Sequence, residues 1–281
     1  MIRPQLLILA LLAITAPMSL PGQFFLNGNA IATNDSCYQL TTAQNWQVGS
    51  IWNPDKVNLN ESFDLVMEVF LGCSDSPGAD GMVFGLQPVS TTIGVAGGDI
   101  GFGGVQPALG IEIDTYQNFN YGDPVYDHIA VIRDGTVNHN APNGALAGPV
   151  QASPHSTNIE NCQFHDLRVS WDAEAHLLSV YFDCELRLTY EGDIVNEIFN
   201  GDPLVFWGLT SATGGENNRH EVCFTYTTFL DQQQDKVLCP GGQILLDASG
   251  GISYSWTPVE GLSNPNIPNP VARPSRTTLY T

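Results

Sequence analysis

Carboxylates, an amide and an imidazole crowd one short stretch of the chain: Glu112, Asp114, Asn118, Asp123 and His128. Residues 110–114 read Gly-Ile-Glu-Ile-Asp, the alternation of a strand. Glu112 and Asp114 therefore share one face with Tyr116, and Ile111, Ile113 and Thr115 take the other. Two adjacent carboxylates repel unless a cation neutralises them. Oxygen donors suit calcium, and oxygen mixed with imidazole suits manganese or a similar divalent ion. The competing reading is a half-buried strand and a solvated turn, because the Asn, Gly, Asp and Pro of residues 118–127 favour turns in any setting. The repulsion between the paired carboxylates tips the balance toward a cation.

The elements that must position these groups are almost all strands. Residues 62–71, 80–87, 165–171, 178–182, 186–190, 204–210 and 221–229 are rich in β-formers, with turn residues between them. Residues 24–41 form a starting strand region, 94–104 a glycine-rich loop, and 138–158 an exposed polar excursion. One short helix is expected over 193–200, capped by Asp193 and terminated by Gly201. Strands without helical periodicity predict an antiparallel sandwich or jelly roll. Trp171, Trp207 and Trp256 are expected in the core, and His139, His155, His165, His176 and His220 in structural roles.

Residues 1–22 read as an export signal, with Arg3 ahead of an apolar run over 6–16 that is shorter than the ~20 residues a membrane span needs. A β domain follows over 24–231, then a linker over 232–236 and a partial β domain over 237–281. The chain of 281 residues has 29 acidic and 9 basic residues, a formal charge of -20. Such a surface repels phosphate backbones and argues against nucleic acid as a partner. Six cysteines, in an exported protein, are candidates for disulfides. Cys162 and Cys184 lie symmetrically about Ala173, the apparent tip of a hairpin, and are the expected pair. None has the Cys-x-x-Cys spacing of a zinc or redox site.

Four motifs in order give residues 24–231 a resemblance to the L-type (legume-type) lectin domain, a concanavalin A-like jelly-roll sandwich. They are Ala79-Asp80-Gly81, Gly97-Gly98 with Gly101, the run from Glu112 to His128, and Ser211-Ala-Thr-Gly-Gly-Glu216 leading into a last strand. The resemblance implies two ions, Ca2+ and Mn2+ or a similar transition metal. Asp114 and Asp123 would bridge both. Asn118 and the Tyr116 carbonyl would complete the calcium ligands, and Glu112 and His128 those of the transition metal. It implies a cis peptide before Asp80. It also implies a glycan partner: Asp80 would accept from two sugar hydroxyls, Asn118 and the Gly98 N–H would donate, and Tyr116 would offer an aromatic face. Gly214, Gly215 and Glu216 would tune specificity, and a homodimer would form through the flat back sheet. The tail resembles the Ig/PKD-like repeats of large bacterial surface proteins, so the resemblance implies a secreted or cell-surface bacterial member acting in adhesion or glycan capture.

Two other functions compete. Glycoside hydrolases on concanavalin-like folds use paired carboxylates about 5–5.5 Å apart on a strand. Glu112-Ile-Asp114 has the first half of such a motif, but residues 115–118 are Thr-Tyr-Gln-Asn, with no second glutamate. A purely structural adhesion module would not need the complete ligand set.

Overall fold

The computed structural model describes residues 24–34, 36–94, 97–142, 144–227, 238, 241–246, 248 and 253–281. The signal and linker readings fall on residues outside these. In chain order the strands are β1 Phe25–Gly28, β2 Ile31–Ala32, β3 Cys37–Thr41, β4 Val48–Trp52, β5 Val57–Asn58, β6 Phe63–Phe70, β7 Gly81–Gln87, β8 Leu109–Asp114 and β9 His128–Arg133. They continue with β10 Ala145–Gln151, β11 Phe164–Asp172, β12 Leu177–Phe182, β13 Glu185–Glu191, β14 Leu204–Ala212, β15 His220–Thr227, β16 Ile244–Leu245 and β17 Val271–Ala272.

Two antiparallel sheets face each other. The first runs β1-β4-β14-β7-β8-β9-β10, with β5 also on β14. The second runs β13-β12-β11-β6-β15-β3-β2. The sandwich expected from the alternating strands is present, and the short helix expected after Asp193 forms as α1 Ile194–Glu197, capped by the Asp193 carboxylate on the Asn196 N–H. In the second sheet β11 alternates buried and exposed residues, since one face meets the core and the other water. In the first sheet β7 and β8 are buried on both faces. Ile111 and Ile113 join the large core between the sheets. The other face carries a second core, in which Ile100, Phe102 and Val105 of the glycine-rich loop pack on Val83, Ala130 and Ile132.

That second core explains two glycines. Gly85 and Gly110 are register partners on β7 and β8. A Cβ on either would meet the Phe102 ring, at 2.5 and 2.9 Å. The missing side chains let Phe102 lie flat on the sheet and be fully buried, worth about 1.5–3 kcal/mol. Burying Phe102 anchors the loop that carries Gly97 and Gly98.

Several expectations need correction. Residues 145–151 are strand β10 on the edge of the first sheet, paired to β9 through a shifted register, rather than an exposed excursion. Ala and Gly content hid it, because edge pairing needs backbone groups more than β-branched side chains. Strands β4 and β5 also lie outside the expected set. Trp256 is half-buried rather than core, its indole bonded to the Ile267 carbonyl.

The expected Cys162–Cys184 bridge does not form. The β11–β12 hairpin pairs Leu167 with Phe182 and Asp172 with Leu177, so its turn is centred past Ala173 and Cys162 is out of register with Cys184. Cys184 instead occupies the β12–β13 turn as an exposed free thiol. Cys162 bonds Cys73, extending the β6–β11 pairing past its end, where the Cys162 N–H also donates to the Gly72 carbonyl. Cys37 bonds Cys223, its register partner on β15. Two disulfides fit a protein that matures in an oxidising compartment. Among the described residues no helix is long and apolar enough to cross a membrane.

Candidate functional site

Register brings the acidic groups together. Asp114 ends β8 and faces Gly81 on one neighbour and His128 on the other. On the β7 side, the Ala79–Asp80 peptide is cis, as the motif implied. Asp80 is locked by its N–H to the Ala212 carbonyl and its own carbonyl to the Thr115 N–H. Gly81 has φ +132°, and a Cβ there would lie 2.1 Å from the Ile113 carbonyl oxygen, so only glycine fits the crossing. Upstream, the Asn218 amide accepts from Cys73 and Ser74 N–H groups and donates to the Ser74 carbonyl and to Glu160, clamping the loop that leads to Asp80.

The loop after β8 folds back on the strand. Asp114 Oδ1 accepts from the Tyr116 N–H at 2.7 Å, and Asp123 Oδ2 from the Asn118 N–H at 2.6 Å. These bonds use one oxygen of each carboxylate. Among the described residues, Asp123 Oδ1, Asn118 Oδ1, Asp80 Oδ2 and both oxygens of Glu112 are buried without a hydrogen-bond partner. Orphaned buried oxygens are costly. Their concentration at one place fits a cation-binding set and fits poorly with a solvated turn.

The electrostatics point the same way. Burial, then the neighbouring carboxylates, holds Glu112 and Asp114 well above the ordinary range. Burial pushes Asp80 up to about 7 and Asp123 to about 6, the latter restrained by the Asn118 N–H. His128 is pushed down to about 3 by burial and then by His139. A cluster that resists being anionic when bare is one that a divalent ion would stabilise.

The donors form two groups, Asp114–Asp123–His128 and Glu112–His128–His139. His139 lies here and not in the structural role expected of it. Its Nε2 is 3.3 Å from Glu112 Oε2 and 2.9 Å from His128 Nε2. No local spacing announces it, because it arrives on a loop whose return depends on tertiary contacts. Of the other histidines, His165 bonds Asp183, the buried His220 bonds Thr41, and the exposed His155 bonds Glu185.

Beside the cation cluster lies a cavity of about 280 Å³. Asp80, Gly98, Tyr116, Asn118, Gly214, Gly215 and Glu216 all line it. Gly98 abuts the Asn118 amide, and Gly214 the Asp80 carboxylate, where added Cβ atoms would fall 3.1 and 3.3 Å away. Tyr116 and Glu216 also wall a neighbouring cleft of about 400 Å³. Sequence reasoning missed Trp46 on the same rim. Its side chain is 72% exposed, its backbone is left-handed at φ 60°, and its N–H donates to the Gly214 carbonyl. Asn45 bonds the Gly215 carbonyl and Asn217, so the Trp46 loop is braced on the 214–217 loop.

A two-sheet jelly roll with an acidic cluster beside a cis-Asp cavity defines the class of legume lectin-type sandwiches. The Legume lectin beta-barrel domain family matches residues 16–226, and the chain belongs to that family of carbohydrate binders. Among solved structures, it resembles the Griffonia simplicifolia lectin I-B4 in metal-free form, at 22% identity and TM-score 0.58, covering 72% of this chain and 90% of that one. The Bauhinia forficata lectin in complex with GalNAc matches at 16% identity and TM-score 0.59, covering 72% and 90%. The exoplasmic/lumenal domain of VIP36 in its Ca2+/Man-bound form matches at 18% and 0.58, covering 76% and 86%. At these identities the likeness is one of fold. Pesticidal crystal protein Cry22Aa of Bacillus thuringiensis is 26% identical over 233 residues, covering 71% of this chain and 31% of that protein. The chain thus matches about a third of that relative's length.

Proposed function

We propose that this chain is a calcium-dependent lectin of a secreted or cell-surface protein, acting in adhesion or glycan capture. The observation that carries the reading is the set of orphaned buried oxygens on Asp80 and Asn118, which line the open cavity, and on Glu112 and Asp123 in the acidic cluster beside it. In this reading Asp114 and Asp123 hold both Ca2+ and a transition ion such as Mn2+. Asn118 and the Tyr116 carbonyl serve calcium; Glu112 and His128 serve the second ion. Calcium supplies the positive charge that keeps the cluster ionised. The chain's own groups then bind sugar: the Asp80 carboxylate accepts from two hydroxyls, the Asn118 amide and the Gly98 N–H donate, and Tyr116 covers an apolar sugar face. Gly214, Gly215 and Glu216 shape the remaining wall. The 237–281 segment belongs, in the same reading, to an Ig/PKD-like repeat, and the flat second sheet is where a homodimer would pair.

Hydrolysis is disfavoured by position. Glu112 is fully buried in the cation cluster and does not line the cavity, so it cannot reach a glycosidic carbon there. A glycan array read with calcium and with chelator tests the proposal. Sugar binding that requires calcium supports it; binding that survives chelation, or release of reducing sugar by the purified protein, refutes it.

Trp46 extends the reading. A bulky non-glycine residue in the left-handed region is strained, and such strain gathers at functional positions. Held in solvent at the cavity rim, its ring suits the apolar face of a bound sugar. Trp46→Gly keeps a residue at ease with this backbone. It should weaken glycan binding about tenfold, roughly 1.4 kcal/mol, without lowering the melting temperature. Unchanged affinity would remove Trp46 from the site.

A further inference from the structure

The legume-type metal motif supplies one imidazole to its transition ion, whereas this chain brings two. His139 reaches the cluster from the loop between β9 and β10, which is tied to the Asp123 loop by the Asn140 N–H on the Tyr121 carbonyl. The His139 side chain is 4% exposed. Its Nε2 lies 2.9 Å from His128 Nε2, 3.3 Å from Glu112 Oε2 and 3.7 Å from Asp123 Oδ1. These are the separations of donors that share one ion through bonds of about 2.0–2.2 Å. Internal hydrogen bonding does not account for the arrangement. Two imidazole nitrogens face each other and can share only one proton. Both Glu112 oxygens and His139 Nδ1 are buried without a hydrogen-bond partner among the described residues.

Resting on the two-cation reading above, we propose that His139 is a direct ligand of the second ion, so that Glu112, His128 and His139, beside the shared carboxylates Asp114 and Asp123, make a two-imidazole site selective for zinc over manganese. Manganese favours oxygen-dominated sets, and each nitrogen donor moves preference toward zinc. Glu112, His128 and His139 with one shared carboxylate already supply the four nitrogen and oxygen donors that zinc takes. The calcium half of the cluster, built from oxygen alone, is untouched by the exchange.

The test uses the full chain, stripped with chelator, returned to calcium and titrated with Zn2+ and Mn2+ in separate and competing arms. His139→Ser is expected to lower Zn2+ affinity by at least about a hundredfold, the loss expected of a ligand rather than of a group behind one, and Mn2+ affinity by less than about tenfold. Nitrogen-15 NMR of the unmutated protein gives a second readout, in which zinc should shift Nε2 of both His128 and His139. A shift at His128 alone, or an equal loss of both metals in His139→Ser, overturns the proposal. Glu112→Gln separates the two levels. If it abolishes Zn2+ binding while His139→Ser does not, the second cation site stands and His139 is not its ligand. If neither variant changes Zn2+ or Mn2+ binding, the second cation site itself falls.

Discussion

Asp80→Asn is expected to lower sugar affinity by about a hundredfold or more and to leave the fold intact. The buried carboxylate can accept from two hydroxyls with charge assistance, and each such bond is worth about 1.5–3 kcal/mol. The amide keeps the shape but turns one acceptor into a donor, which opposes a sugar hydroxyl rather than receiving it. The backbone that positions residue 80 is unaffected, because it is held through the Ala212 carbonyl and the Thr115 N–H. Burial pushes the Asp80 carboxyl up to about 7. Removing that buried charge should therefore leave the chelated protein as stable as before, or more so, at pH 8. Calorimetric titration with an array-selected glycan checks the first half and thermal melting the second. Retained affinity would move the sugar site elsewhere.

Chelation should lower stability, and by more at high pH than at neutral pH. A carboxyl whose folded pKa is raised keeps its proton in the folded protein while the unfolded chain has lost it. The folded state then binds more protons, and stability falls as pH rises. Above pH 6.5, the ordinary histidine value, unfolded histidines are neutral and unfolded carboxyls ionised. In that window the raised carboxyls act alone: Asp80 and Asp127 at about 7, Glu160 at about 9, and Glu112 and Asp114 well above their ordinary values. The chelated protein should lose up to about 1.4 kcal/mol per pH unit for each group still protonated. Bound calcium would hold Asp114 ionised, so affinity rises with pH and the calcium-loaded protein loses less stability per pH unit than the chelated one, while Asp127 and Glu160, outside the cluster, retain their slope. Below pH 6.5 the buried neutral histidines His128 and His220, both near 3, act with the opposite sign. Melting temperatures from pH 6.5 to 9, in calcium and in chelator, should diverge. Parallel curves would mean that no cation is bound by these carboxylates.

What the chain alone determined is local. Alternation set Glu112 and Asp114 on the face opposite Ile111 and Ile113, because strand geometry leaves no other choice. The cap at Asp193 and the β-rich runs of β6, β7, β11 and β14 likewise follow from nearest neighbours. So does the crowding of donors between residues 112 and 128, since a turn must return Asp123 toward the strand it just left. Pairings between distant segments were beyond local reading. Cys162 chose Cys73 over Cys184 because β6, not the hairpin, sets the neighbour of its strand. Residues 145–151 became a strand because an edge of the first sheet was open to them. Trp46 and His139 reached the site on loops held by Gly214 and Tyr121, contacts that exist only once β4 has paired with β14 and β9 with β8 and β10. Spacing can say which groups share a strand face; only packing decides which distant loops meet them there.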